Sequence, residues 1–294
     1  MRIFTIRLNR ILLIFFSGIC ILLLIIGLVP RIKSVMNTCA AEADGIPLPI
    51  IMYHSVTSNP QRAGKYAVTA EVLENDLKYL TDRGYTSVVI QDLINYVEKD
   101  MPLPEKPIMI TFDDGFSNNM TNALPLLEKY GLKAVISIVG RYTDDYTESD
   151  DTNPAYSYLR WQDVRTIMAG GRIEFQNHSY DLHTISEKRS ASTRKKGESA
   201  ADYQKIFTSD LSLLQEEFAQ HTDYTPTAFT YPFGKIDKLS VELVKSMGFS
   251  ASLSCYEGVN MITKDPQCLY QLKRNNRPQK MGTADFFKRK LSIQ

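Results

Sequence analysis

Pro107-Ile108-Met109-Ile110-Thr111-Phe112-Asp113-Asp114-Gly115 is the stretch that decides the fold. Its first six residues are apolar or β-branched and short enough for a strand buried on both faces. The chain then turns sharply on two carboxylates and a glycine. Strands buried on both faces belong to parallel sheets covered by helices, and the flanking sequence supplies both in alternation. Upstream, residues 49–54 form another short apolar run. Val72, Leu73, Leu77 and Leu80 recur at helical spacing, and Gly84 stands where a C-cap glycine would end that helix. Residues 86–90 read as strand, and Leu93, Ile94 and Val97 as a short helix. Downstream, Ser117 caps a helix through Leu124, Leu127 and Tyr130 to Gly131. Strands are expected at 133–139, 172–177, 227–231, 249–254 and 268–273. Helices are expected at 161–168, 200–218 and 241–247, with exposed loops at 144–153 and 188–199. No internal repeat interrupts this order. The expected fold is α/β, a distorted (β/α) barrel of seven or eight units. In such barrels chemistry sits at the C-terminal ends of the strands.

The 294 residues suffice for one large domain with additional segments. A net charge of +1 gives no general attraction to nucleic acid, and none is expected as a partner. Nothing in the sequence sets an oligomeric state. Arg2, Arg7 and Arg10 precede an unbroken apolar run, residues 11–29, closed by Pro30, Arg31 and Lys33. That length spans a bilayer as a helix and exceeds the usual apolar core of a cleaved signal peptide. The basic cluster in front places the N-terminus in the cytoplasm. The expected organisation is a cytoplasmic segment 1–10, a transmembrane signal anchor 11–30, a linker 31–46 and an extracellular domain 47–294. Localisation is then at the cell membrane, or secreted if the anchor is cleaved. Of four cysteines, Cys20 and Cys39 lie in or near the apolar run. Cys255 and Cys268 are free to pair or to remain thiols.

Three clusters follow expected strands: Tyr53-His54-Ser55, Thr111 to Gly115, and Asn177-His178-Ser179-Tyr180-Asp181-Leu182-His183. They hold three of the four histidines in the chain. Taken singly, each has a plain structural explanation. Asp-Asp-Gly is a common turn, a histidine at a strand end often bonds a carbonyl, and a five-residue His–His spacing fits no helix face. Together they place all three clusters on one rim. Adjacent buried carboxylates repel each other, and a cation beside them removes much of that cost. Two histidines and one carboxylate, with positions left open, make a common catalytic zinc arrangement, and the other carboxylate is free to act as a base. Zinc is the first choice of metal, with cobalt or nickel as alternatives. Trp161 reads as a core aromatic and His221 as a surface residue.

These motifs resemble the NodB-type polysaccharide deacetylases, carbohydrate esterase family 4. Thr111-Phe112-Asp113-Asp114-Gly115 looks like their first motif and His178-Ser179 through His183 like their second. The wide histidine spacing and the early Met52-Tyr53-His54-Ser55-Val56 are similar to the circularly permuted branch, which includes deacetylases of biofilm poly-β-1,6-N-acetylglucosamine. The resemblance covers roughly residues 47–287. It implies Asp113 as general base, Asp114, His178 and His183 as metal ligands, and His54 as the protonated acid. Phe229 to Gly234 fits the third motif, with the Phe233 backbone N–H facing the oxyanion. The family's usual arginine near Thr230 is missing. Arg274 is the candidate replacement that orients Asp113, and Arg277 the second. Tyr180, Tyr231 and Pro232 are candidates for the sugar groove. The expected reaction removes N-acetyl groups from a β-linked N-acetylglucosamine polymer and releases acetate. Peptidoglycan or O-acetylated glycans are alternative substrates, and a non-catalytic glycan-binding protein is the alternative of another class.

Overall fold

The protein is represented by a computed structural model that describes residues 45–186 and 189–293. β1 (Ile46–Tyr53) leads into β2 (Ser55–Thr57), which pairs in parallel with β3 (Ala67–Thr69) as a small separate ribbon. Then follow α1 (Ala70–Asp82), β4 (Thr86–Ser87), α2 (Ile90–Lys99), β5 (Pro107–Phe112), α3 (Leu124–Lys129), β6 (Ala134–Ile138) and α4 (Gly140–Ser149). α5 (Trp161–Ala169), β7 (Ile173–Asn177), α6 (Ala200–Thr222), β8 (Ala228–Thr230) and α7 (Lys238–Ser246) continue the alternation. β9 (Ala251–Leu253), β10 (Val259–Ile262), β11 (Asn275–Asn276) and α8 (Thr283–Lys290) complete it.

β1, β5, β6, β7, β8 and β9 are neighbours in that order, and every pairing is parallel. The chain around residues 272–277 fills the remaining gap. Leu272 bridges Leu253 of β9, while β11 pairs with β1, with Asn275 opposite Ile51. The Arg277 N–H donates to the Met52 carbonyl at 3.0 Å. With β10 beside β1 and β4 beside β5, the nine-stranded sheet curls into an irregular, half-barrel-like α/β fold rather than seven or eight regular units. All six residues of β5 and all five of β6 are buried, which explains their unbroken apolar sequence.

The helices bury one stripe each. α1 starts where the Thr69 hydroxyl accepts from the Val72 N–H, and it turns Leu73, Leu77 and Leu80 inward. α6 starts on the Ser199 hydroxyl and buries Tyr203, Phe207, Leu211, Leu214 and Phe218. Each such large apolar side chain contributes ~1.5–3 kcal/mol relative to exposure.

Several expectations need correction. Residues 144–153 do not form a loop, because most belong to α4. That helix buries only Gly140 and Thr143, and its exposed Asp145 and Glu148 mimic loop composition. The strand expected at 268–273 is replaced by a 3₁₀ turn, Pro266–Leu269, and a left-handed Gln271; pairing resumes at Leu272 and β11. The segment expected as strand at 86–90 pairs only at Thr86–Ser87, and Ile90 already opens α2. The expected transmembrane anchor and nearly all of the linker lie outside the described residues. Among the described residues no helix is long and apolar enough to cross a membrane.

A buried network secures the closing segment. Arg277 donates to both carboxylate oxygens of Asp76 on α1, from Nε at 2.7 Å and from Nη2 at 3.0 Å. The Tyr53 hydroxyl donates to Asp76 at 2.8 Å and Thr283 at 2.7 Å, and Arg277 Nη1 reaches the Pro278 and Met281 carbonyls. Neither Asp76 nor Arg277 exposes any surface. Removing one partner strands the other charge in the core. Asp76→Ala is expected to cost about 3–5 kcal/mol, read as a lower urea midpoint at unchanged slope. A loss below about 1 kcal/mol would show that the network contributes little.

Candidate active site

β5 ends on the two carboxylates, and the backbone sends them apart. The Asp113 N–H continues the sheet by donating to the Tyr53 carbonyl at 3.0 Å. Asp114 takes a left-handed conformation at φ +70°. Aspartate tolerates this region better than most residues. Gly115 follows at φ +77°, and a Cβ there would stand 2.8 Å from Ile138 Cγ2, so only glycine fits the turn.

Asp113 meets Arg274 from the closing segment in a two-pronged pair, Nη1 to Oδ1 at 2.6 Å and Nη2 to Oδ2 at 2.8 Å. Arg274 Nε is fixed on the Ser254 carbonyl at 2.8 Å, and the guanidinium is fully buried. Burial pushes the Asp113 carboxyl upward, but the Arg274 charge outweighs it and holds the group below its usual range. Arg277, the second candidate, does not reach Asp113, because Asp76 holds it on the other side of β1.

Asp114 meets the histidines. His178 follows β7, and its N–H donates to the Ile138 carbonyl. Its Nδ1 lies 2.7 Å from the Thr230 carbonyl, which must accept a proton there and so leaves Nε2 free as a ligand. His183 comes back on an irregular loop. Ser179 in that loop is left-handed at φ +73°, and its N–H donates to Asn177 Oδ1 at 2.8 Å. Nε2 of His178 and of His183 lie 3.4 and 3.1 Å from Asp114 Oδ1. The donor atoms of the three residues lie within 4.8 Å of one another.

This donor set fits a divalent metal on its own evidence. Asp114 Oδ1 is buried and receives no well-aligned hydrogen bond, although two imidazoles stand beside it. The three groups converge on a common space rather than on each other, as ligands do around an ion. Burial raises the Asp114 pKa, but the contacts with His178 and His183 outweigh it and hold the carboxyl well below its usual range. Burial lowers the His178 pKa, and the Asp114 contact outweighs that and raises it. The cluster thus demands positive charge, which a proton or a cation can supply.

His54 lies in the same cleft of ≈ 580 Å³ with Asp113, Asp114, His178, His183 and Phe233. Its Nδ1 is buried without a partner. Burial lowers its pKa against the opposing pull of Asp113 and Asp114. Phe233 is left-handed at φ +54° inside the 3₁₀ turn Pro232–Gly234. Its ring packs against His183 at 4.3 Å, and its N–H sits in the first turn, where helical acceptors are lacking.

The groove candidates fare differently. Tyr231 is fully buried in a second core cluster against Phe229, and Pro232 is buried too, so neither offers a face to a sugar. Tyr180 turns away from the cleft, and its hydroxyl donates to Asp144 at 2.8 Å. Trp161 is buried, donates to the same Asp144, and stacks on the partly exposed His221. Instead, Tyr66, Phe116, Cys255, Glu257 and Asn276 line the cleft. No sequence pattern marked them, because the loops that carry most of them, and the two-residue β11 that carries Asn276, have no period. Cys255 and Cys268 are unpaired thiols.

A polysaccharide deacetylase family profile matches residues 100–252, more than half of the chain. The chain belongs to the polysaccharide deacetylase family. His54 and Arg274 lie outside the matched segment. The poly-β-1,6-N-acetyl-D-glucosamine N-deacetylase of Escherichia coli K12 is 22% identical over 227 residues, covering 71% of this chain and 34% of the relative. The chain therefore spans about a third of that protein. The enzyme of the same name from Staphylococcus aureus is 22% identical over 200 residues, covering 68% and 65%. A solved de-N-acetylase from Aggregatibacter actinomycetemcomitans superposes with a TM-score of 0.71 at 21% identity, covering 82% of this chain and all of that one, a likeness of fold.

Titration of the metal-stripped protein with Zn²⁺ should show one site. His178→Ala or His183→Ala should weaken it by about 100-fold or more, because a ligand is lost. His221→Ala should leave it unchanged. Metal must displace the proton that the raised His178 pKa retains, so affinity should climb as pH rises through that value. Affinity independent of both histidines would place the ion elsewhere.

Proposed function

We propose that the protein hydrolyses N-acetyl groups on a β-linked N-acetylglucosamine polymer at the cell surface. The carrying observation is that Asp114, His178 and His183 converge in one cleft beside the Arg274-held Asp113. In this reading residues 11–30 anchor the chain in the membrane and the domain from residue 47 faces outward. The relatives named poly-β-1,6-N-acetyl-D-glucosamine N-deacetylase support the polymer.

A divalent cation held by Asp114, His178 and His183, zinc before cobalt or nickel, supplies Lewis acidity that activates water and polarises the amide carbonyl. Asp113 is kept ionised by Arg274 and accepts the water proton as attack begins. The Phe233 N–H faces the developing oxyanion. His54, protonated, delivers a proton to the departing amine, and must then regain one before the next turnover. The water proton first received at Asp113 is the available source. Products are acetate and a free sugar amine. Both Asp113 oxygens accept from Arg274, whose charge, together with those of nearby His178 and His54, works against the burial that would raise the carboxyl's proton affinity.

Acetylated β-1,6-glucosamine oligomers, peptidoglycan fragments and O-acetylated glycans should be offered side by side, with acetate and the mass of each product measured. Loss of acetyl mass from the β-1,6 oligomers above the others is the expected result. Metal binding without turnover on any of them favours a glycan-binding protein. Asp113→Asn should retain metal and lower kcat by about 10²–10⁴. Arg274→Met removes the main opposition to burial, so the Asp113 pKa should rise and the acid limb of the pH–rate profile should move to higher pH. An unmoved limb would mean that the base lies elsewhere.

A further inference from the structure

His178 and His183 are separated by a loop without regular structure, so their nitrogens must be held in register from outside it. We propose that Asp210, on α6, is the positioning residue of this loop and holds the two histidines facing Asp114 before any metal arrives. The inference rests on the metal-centre reading above and adds to it a residue that touches neither ion nor substrate.

Two consecutive amides of the loop end on the two oxygens of one carboxylate. The Tyr180 N–H donates to Asp210 Oδ1 and the Asp181 N–H to Oδ2, each at 2.8 Å. A surface aspartate satisfied by water has no reason to spend both oxygens on adjacent backbone donors. Next to it, Asn177 Nδ2 donates to the Leu211 carbonyl at 3.1 Å, so α6 also grips the residue before His178. From the opposite side α4 takes the carbonyls that the same peptides present. The Gly140 N–H donates to the Ser179 carbonyl at 3.1 Å and the Arg141 N–H to the Tyr180 carbonyl at 2.9 Å.

The loop is thus caught between a helix N-terminus, which binds its oxygens, and a carboxylate, which binds its nitrogens. The α4 side is closely packed, since a Cβ on Gly140 would lie 2.5 Å from the Tyr180 ring. Without Asp210 only that side remains, and the left-handed Ser179 has less to keep it in a sparsely populated conformation. Groups that orient metal ligands from behind typically change affinity by about 10–100-fold when altered.

The experiment uses metal-free protein with Zn²⁺ measured against a competing chelator, the visible band of the Co²⁺ form, and the metal-free unfolding midpoint. Asp210→Asn should lose about 10–100-fold in Zn²⁺ affinity and alter the Co²⁺ band while the midpoint stays close to wild type. Asp210→Glu, which keeps two acceptor oxygens, should recover part of the loss. Affinity within about twofold of wild type in Asp210→Asn overturns the proposal. So does an equal loss in both variants that follows a lowered midpoint, since this marks general stability. Should Asp210→Asn fail to fold, amide exchange in metal-free wild type decides. Protected Tyr180 and Asp181 amides support the clamp, and freely exchanging ones refute it. Wild type that binds no Zn²⁺ removes the metal centre itself, a different outcome from binding that ignores Asp210.

Discussion

Two neighbouring carboxylates at the end of a buried strand repel each other and lose their hydration, and the rest of the structure answers that constraint. The answer is asymmetric. Asp113 receives a guanidinium built into the fold, whereas Asp114 receives two imidazoles and an oxygen left without a partner. One carboxylate is neutralised by the chain, and the other keeps a demand for positive charge that a mobile ion can meet. The chemical difference between the two carboxylates thus follows from which neighbour each side chain faces, and the left-handed turn at Asp114 sends them to different neighbours.

Arg274 sits on the segment that closes the barrel, so charge balance at the site and closure of the sheet depend on the same few residues. On one side of β1, Arg274 serves Asp113; on the other, Arg277 serves Asp76. The two residues between them, Asn275 and Asn276, set an odd offset that sends two arginines to opposite strand faces and so to two acids. Exchanging either pair for apolar residues could preserve packing, but breaking one member of either leaves a buried charge alone.

Much of the fold was readable because buried parallel strands are written as short apolar runs. β5 matched its expected limits, and β6 and β7 fell within one residue of theirs. The sequence failed where environment rather than period determines structure. α4 is nearly all solvated, so its composition imitates a loop; β11 is two asparagines whose side chains bond to backbone, a pattern without hydrophobic signal. The motif histidines and aspartates were legible because their residue types are rare and chemically demanding. Arg274 could be named as a candidate from a missing charge, but its choice over Arg277 needed coordinates. Tyr180 and Tyr231 misled because an aromatic beside a motif can equally serve as a post for the loop or as filling for the core. Tyr66, Glu257 and Asp210 left no trace, since their roles arise only from long-range proximity.

The seam between β1 and β11 joins positions 51 and 275. A chain emerging from the ribosome carries His54, both aspartates and both metal-binding histidines well before Arg274 exists to balance Asp113. Long-range pairings of this kind are slow and come late in folding. Charge balance at Asp113 is therefore withheld until the final stretch of polypeptide docks. A nascent or C-terminally clipped molecule would display every motif while Asp113 still lacked its guanidinium, so possession of the signature and possession of the finished site can part company.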